Sequence, residues 1–173
     1  MGKNHMKKFR ILAGLAAAVL VGGLHAQEPV TGVADESLFT DSDPLLNTNK
    51  QAALHIMREL LQCNHWSDAG NWLTDQYLQH NPNAASGLQG VITFFTQVMS
   101  RQPTADCNQL TTPIVAVMAE DDLVTVIIPR TYKHPVTGAD YTTTWFDTWR
   151  FVDGKADEHW DPATVNPPAP PAQ

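Results

Sequence analysis

Residues 141–161 read YTTTWFDTWRFVDGKADEHWD, and the way this stretch folds back on itself decides the architecture. A strand sends alternate side chains to opposite faces. One face of 141–152 carries Tyr141, Thr143, Trp145, Asp147, Trp149 and Phe151; the other carries Thr142, Thr144, Phe146, Thr148, Arg150 and Val152. The aromatic face is expected to point inward. Val152-Asp153-Gly154 then signals a hairpin back into Lys155–Asp161. Two registers are open. A three-residue loop pairs Phe151 with Lys155 and Asp147 with His159. A two-residue loop sets Asp147 opposite Trp160 and turns His159 to the other surface. An ordinary residue followed by Asp and Gly suits the longer loop, so Asp147 is expected to face His159.

Working outward, Ile114–Met118 and Leu123–Ile128 are β-branched runs broken by the acidic turn 119–122, and a loop spans His134–Asp140. Upstream the period changes. Ala53, Leu54, Met57, Leu60 and Leu61 make a helical stripe over Lys50–Cys63. Ser67 can cap a second helix whose face carries Ala69, Trp72, Leu73 and Tyr77, ending at Asn81-Pro82-Asn83. Ser86-Gly87-Leu88-Gln89 has the form of a capping box and predicts a third helix with Leu88, Val91, Ile92, Phe95, Val98 and Met99 inward. Three helices followed by an antiparallel sheet predict an α+β fold with helices on one face.

The ends read differently. Lys7, Lys8 and Arg10, the apolar run Ile11–Leu24 and the small residue Ala26 form a secretory signal peptide over residues 1–26. The run is shorter than the roughly 20 residues a membrane-spanning helix needs. Residues 27–48 read as a flexible lead-in, 49–163 as the folded domain and 164–173 as a Pro-rich tail. The expected location is therefore exported, periplasmic or extracellular. Removing the signal takes away Lys3, Lys7, Lys8 and Arg10, leaving seven basic against 18 acidic side chains and a net charge near −11. Such a chain is repelled by nucleic acid and by anionic membrane surfaces, so neither is expected as a partner. Cys63 and Cys107 can pair in an oxidising compartment, but their spacing alone leaves the bond open.

A carboxylate among rings is costly unless it is hydrogen-bonded, paired or protonated. Desolvation also raises carboxyl pKa values toward the range a general acid or base needs. Asp147 is therefore the main catalytic candidate, with His159 and the helix-terminal His80 beside it. Tyr77, Trp145, Trp149, Trp160 and Trp66 are candidates for the wall of a ligand pocket. No pair of His or Cys stands at metal-ligand spacing, so no metal site is expected.

YLQHNP at 77–82, GLQGVITFF at 87–95 and DTWRFVDGKADEHWD at 147–161 occur in an order that resembles the SnoaL-like polyketide cyclase family. The resemblance covers roughly residues 49–163. It implies the nuclear transport factor 2-like fold, a cone-shaped curved antiparallel sheet wrapped by three N-terminal helices around an apolar pocket. It also implies an acid/base Asp at the position of Asp147, pocket residues at His80, His159 and Trp160, no cofactor, and a homodimer. Many relatives carry His in the strand where this chain has Ile128-Pro129-Arg130. Two functions stay open: a cofactor-independent acid/base enzyme (aldol, isomerase or cyclase type) on a small apolar carbonyl compound, and a non-catalytic binding or dimerisation module.

Overall fold

The β-branched and aromatic runs of the second half form one sheet, and the first half supplies one more strand to it. The computed structural model describes residues 28–165; the signal peptide and residues 166–173 of the tail lie outside them. The strands are β1 (Leu73–Gln79), β2 (Ala116–Glu120), β3 (Leu123–Lys133), β4 (Asp140–Val152) and β5 (Lys155–Trp160). Their order is β1-β5-β4-β3-β2, antiparallel except for the parallel pair β1 and β5. Helix α1 (Pro44–His55) runs on as a π-wound segment, Ile56–Gln62, and α2 (Leu88–Thr93) likewise into Phe94–Val98. Asp43 caps α1 by accepting from the Leu45 and Leu46 amides, with Pro44 in the first turn. Leu60, Leu73, Val124, Val126 and Trp149 meet in the core between these helices and the inner face of the sheet.

Five expectations are corrected. The second helix is absent: Trp66–Asn71 is a short 3-10 turn and Leu73–Gln79 is a strand. Leu73 and Tyr77 stand four apart, a spacing that shares a face in a helix and in a strand alike. Tertiary pairing decides between them, because β5 needs a partner on this side. The Ala156 amide donates to the Trp72 carbonyl (2.8 Å) and the His80 amide to the His159 carbonyl (3.1 Å). The sheet is thus wrapped by two helices, not three.

The capping box is also absent. Gly87, at φ 86°, occupies the cap of α2, while the Ser86 hydroxyl accepts from the Gln79 amide at 3.0 Å. Gly90 is required by crowding, since a Cβ there would lie 2.5 Å from the Ala85 carbonyl oxygen. The lead-in contributes to the fold: Glu36–Phe39 is a 3-10 turn, Phe39 is wholly buried, and α1 begins at Pro44.

The hairpin takes neither simple register. Asp153 and Gly154, both at positive φ, form a two-residue loop, and Val152 pairs with Lys155. A bulge then follows. Phe151 pairs with Ala156 but Arg150 pairs with Glu158, so Asp157 is the extra residue. The Thr74 hydroxyl donates to the Asp157 carboxylate at 2.6 Å and ties the bulge to β1. The bulge returns His159 to the inner face, opposite Trp149 and diagonal to Asp147.

Strand β3 continues through Pro129, past the expected end at Ile128. Pro129 pairs only with β4, because the β2 ladder covers β3 no further than Ile127, and a Pro is tolerated on such a free edge. Cys63 and Cys107 are disulfide-bonded, which settles the question the sequence left open and ties the segment after α2 to the end of the π-wound turn.

Candidate active site

On the inner face of β4, alternation sets Trp145, Asp147 and Trp149 in a row, and β1 brings Tyr77 and Gln79 alongside. With the helices they enclose a cavity of about 260 Å³. Its walls are mostly apolar, from Leu60, Trp66, Leu73, Val91 and Phe95. The polar groups among them are Gln79, Asn81, Arg130, Asp147, His159 and Asp161.

Asp147 and His159 are 5 % and 6 % exposed, and Asp147 Oδ1 lies 3.2 Å from His159 Nε2. The Trp145 indole donates to the same Oδ1 at 3.0 Å. Oδ2 has no protein partner among the described residues. On the far side of the imidazole, His159 Nδ1 is 2.8 Å from Gln79 Oε1. That oxygen also accepts the Asn81 amide at 3.0 Å. A backbone N–H can only face an acceptor, so the Gln79 amide is oriented and Nδ1 must carry a proton. A bare Nε2 lone pair would repel a carboxylate oxygen. The pair therefore holds one proton between Nε2 and Oδ1, either as imidazolium and carboxylate or as imidazole and carboxylic acid. The ring lies between Tyr77 and Trp149, with centroids at 6.3 and 5.3 Å.

The Tyr77 hydroxyl accepts from the Trp149 indole at 3.1 Å, and its own proton meets no acceptor among the described residues. Burial, with Asp147 and Asp161 nearby, pushes the phenol well above its ordinary range despite the Trp149 bond. It stays a neutral donor at any physiological pH.

Six of the eight residues singled out in the sequence line this cavity: Asp147, His159, Tyr77, Trp145, Trp149 and Trp66. His80 and Trp160 do not. They stack on one another on the outer face, centroids 5.2 Å apart. His80 Nε2 is 2.8 Å from Glu158, which also accepts from Arg150 at 3.2 Å. The His80 bond, opposed by burial and helped by Arg150, holds the Glu158 carboxyl below its ordinary value. The cause of the misplacement is again strand alternation: Gln79, the last residue of β1, points in, and His80, just past its end, points out. Gln79, Asn81, Arg130 and Asp161 were not read as site residues. A strand period from Tyr77 would have found Gln79, but only the bulge brings in Asp161.

Ligand atoms of Asp147, His159 and Asp161 lie within 4.8 Å of one another, the spacing a cation could use. Asp161 already accepts from Asn81 Nδ2 (2.8 Å) and the Ala163 amide (2.9 Å). The imidazole has both ring nitrogens engaged, so a cation using it would have to displace the Asp147 or the Gln79 contact.

The sequence profile of the SnoaL-like domain family matches residues 57–159. No curated protein matches significantly. Among solved structures, a protein from Jannaschia sp. CCS1 named as a SnoaL-like polyketide cyclase is 18% identical. The match covers 71% of this chain and 91% of that one at a TM-score of 0.51. A nuclear transport factor 2-like protein of unknown function from Burkholderia pseudomallei K96243 is 17% identical, with 68% and 91% covered and a TM-score of 0.49. At 18% identity the likeness to the Jannaschia structure speaks for the fold alone.

Proposed function

The chain belongs to the SnoaL-like domain family, and from that premise we propose that its cavity binds a small apolar carbonyl compound and turns it over by acid/base chemistry without a cofactor. The observation that carries this is the buried contact between Asp147 and His159 at the wall of a mostly apolar cavity. In the imidazolium–carboxylate form, Asp147 presents its uncommitted Oδ2 as a base. It takes a proton from the carbon next to the carbonyl, and the C–H electron pair moves into the enolate. The Tyr77 hydroxyl, whose proton has no protein acceptor, donates to the enolate oxygen. The enolate then attacks a second carbonyl, whose alkoxide takes the proton back from Asp147, or regains that proton at another carbon, which spans the aldol, cyclase and isomerase types. Gln79 accepts the Nδ1 proton and so holds the ring with Nε2 toward Asp147.

The test is turnover and stability measured together on Asp147→Asn. The amide keeps the Trp145 hydrogen bond, so the Tm should stay the same or rise, while turnover of apolar ketones disappears. A Tm loss of many degrees with ketone turnover intact would make Asp147 a structural residue. The second reading, a binding module without turnover, is favoured by the commitment of Asp147 Oδ1 to two donors. It predicts ligand binding that Asp147→Asn leaves unchanged and no chemistry in the parent protein.

Export from the cytoplasm is part of the proposal, and the Cys63–Cys107 disulfide supports it, since such bonds persist in oxidising compartments. No described helix is long and apolar enough to cross a membrane. We also propose a homodimer through the outer sheet face, where Met118 and Phe146 are exposed at 53 % and 42 %. Sedimentation should give twice the chain mass, and Phe146→Glu should return it to the monomer.

A further inference from the structure

The cavity opens outward past Trp145, Phe94, Met99 and Asn81 into a cleft of about 710 Å³ that also reaches Tyr132. Along β3, residues 128, 130 and 132 share the inner face, so Ile128, Arg130 and Tyr132 run from the core to the mouth. Ile128 is 1 % exposed and Arg130 is exposed. A cation thus stands where the mostly apolar cavity meets the open cleft.

Its surroundings set Arg130 apart. The chain is acidic overall, and Lys50, Arg58, Lys133, Arg150 and Lys155 each reach a carboxylate or a backbone carbonyl. Arg130 has no such partner among the described residues, although it lines the cavity. Arg101, the other unpaired cation, does not line it. The Arg130 guanidinium carbon lies 5.8 Å from the centroid of the Trp145 ring, the ring whose N–H is bonded to Asp147. Stacking on an indole leaves the guanidinium edge, with its parallel N–H donors, available to a ligand. The group that matches this edge is a carboxylate, bound by two charge-assisted hydrogen bonds. Strand geometry sets the spacing: Trp145 and Asp147, two residues apart, are separated by about 6.6 Å along β4. A ligand touching both ends must carry its acid several bonds from its carbonyl.

We propose that the ligand is an apolar oxo acid, with its carboxylate held at the mouth by Arg130 and its carbonyl inside at Asp147 and His159. This rests on the acid/base reading for the carbonyl end, while the acid end stands on Arg130 alone. The test is calorimetric titration with 4-oxo-4-phenylbutyrate and with its primary amide, an uncharged probe of nearly the same shape. The parent protein should bind the acid at least about tenfold more tightly than the amide. Arg130→Gln should erase that preference without weakening the amide, and Arg130→Glu should reverse it. Asp147→Asn should keep the preference. Equal binding of the two probes by the parent, a preference that survives in Arg130→Gln, or binding of neither probe would overturn the proposal. No ketone chemistry in the parent protein, with its acid preference intact, would sink the acid/base reading and leave the carboxylate site standing.

Discussion

The sheet carries a histidine–carboxylate pair on each of its two faces, and the pairs differ in everything except their chemistry. Outside, His80 and Glu158 meet at 2.8 Å, with His80 49 % exposed, in a stack that includes Trp160 and Arg150. Inside, His159 and Asp147 meet at 3.2 Å, almost wholly buried between Trp149 and Tyr77. Contact distance alone would rank the outer pair higher. Surroundings reverse the order, because an exposed pair is screened by water, whereas a buried pair at an apolar cavity wall interacts more strongly with its partner and with a ligand. Distance between two groups therefore says little about function until the faces they occupy are known.

The comparison is broken most forcefully at the inner histidine. His159→Gln should lower turnover by about 10²- to 10⁴-fold, the usual worth of a positioned acid/base group. His80→Ala should leave it unchanged in the same assay. Equal losses in the two variants would erase the distinction between the faces.

A smaller effect is expected at Gln79, which touches the proton pair only through Nδ1. Gln79→Leu removes the acceptor of the Nδ1 proton and frees the ring to turn, with a cost of roughly tenfold to hundredfold, as for other residues that orient a functional histidine. Gln79→Glu keeps an acceptor and should restore most of the turnover. A purely structural role would show instead as a matching fall in Tm for the Leu variant and no difference in turnover per folded molecule.

The smallest effect belongs to the outer pair and concerns stability alone. The Glu158 carboxyl is held below its ordinary value near 4.5 by His80. A depressed carboxyl contributes stability above its unfolded pKa and loses it as pH falls through the folded one. Glu158→Gln should therefore lower the Tm slightly at neutral pH, and the difference should vanish in acid below that value. A difference that grows with acidification would contradict the assignment.

How far the sequence reached can be judged residue by residue. The aromatic face of β4 was legible because a period of two over twelve residues admits no other element. The helix–strand choice at 72–79 was not, because Leu73 and Tyr77 satisfy both periods and the deciding hydrogen bonds come from β5, some 80 residues later. That one ambiguity hid Gln79 and misplaced His80. The meeting of Asp147 with His159 was expected, but on a three-residue loop. The protein reaches the same face with a two-residue loop and a bulge at Asp157, held by Thr74 from a strand that had been read as a helix. Arg130 was noted only as a departure from the family pattern, since nothing local announces that a strand runs on through Pro129 and carries it to a cavity mouth.

The central claim is that the buried pair, and not the exposed one, takes protons from carbon. Proton exchange next to a carbonyl measures that step without requiring the natural substrate. An apolar ketone such as 2-indanone, incubated in D₂O and followed by NMR, should gain deuterium at the carbons flanking its carbonyl far faster with the parent protein than in buffer. Glu158→Gln should match the parent, and Asp147→Asn should fall to the buffer rate. Exchange that persists in Asp147→Asn and disappears in Glu158→Gln would place the chemistry on the outer face and contradict the account.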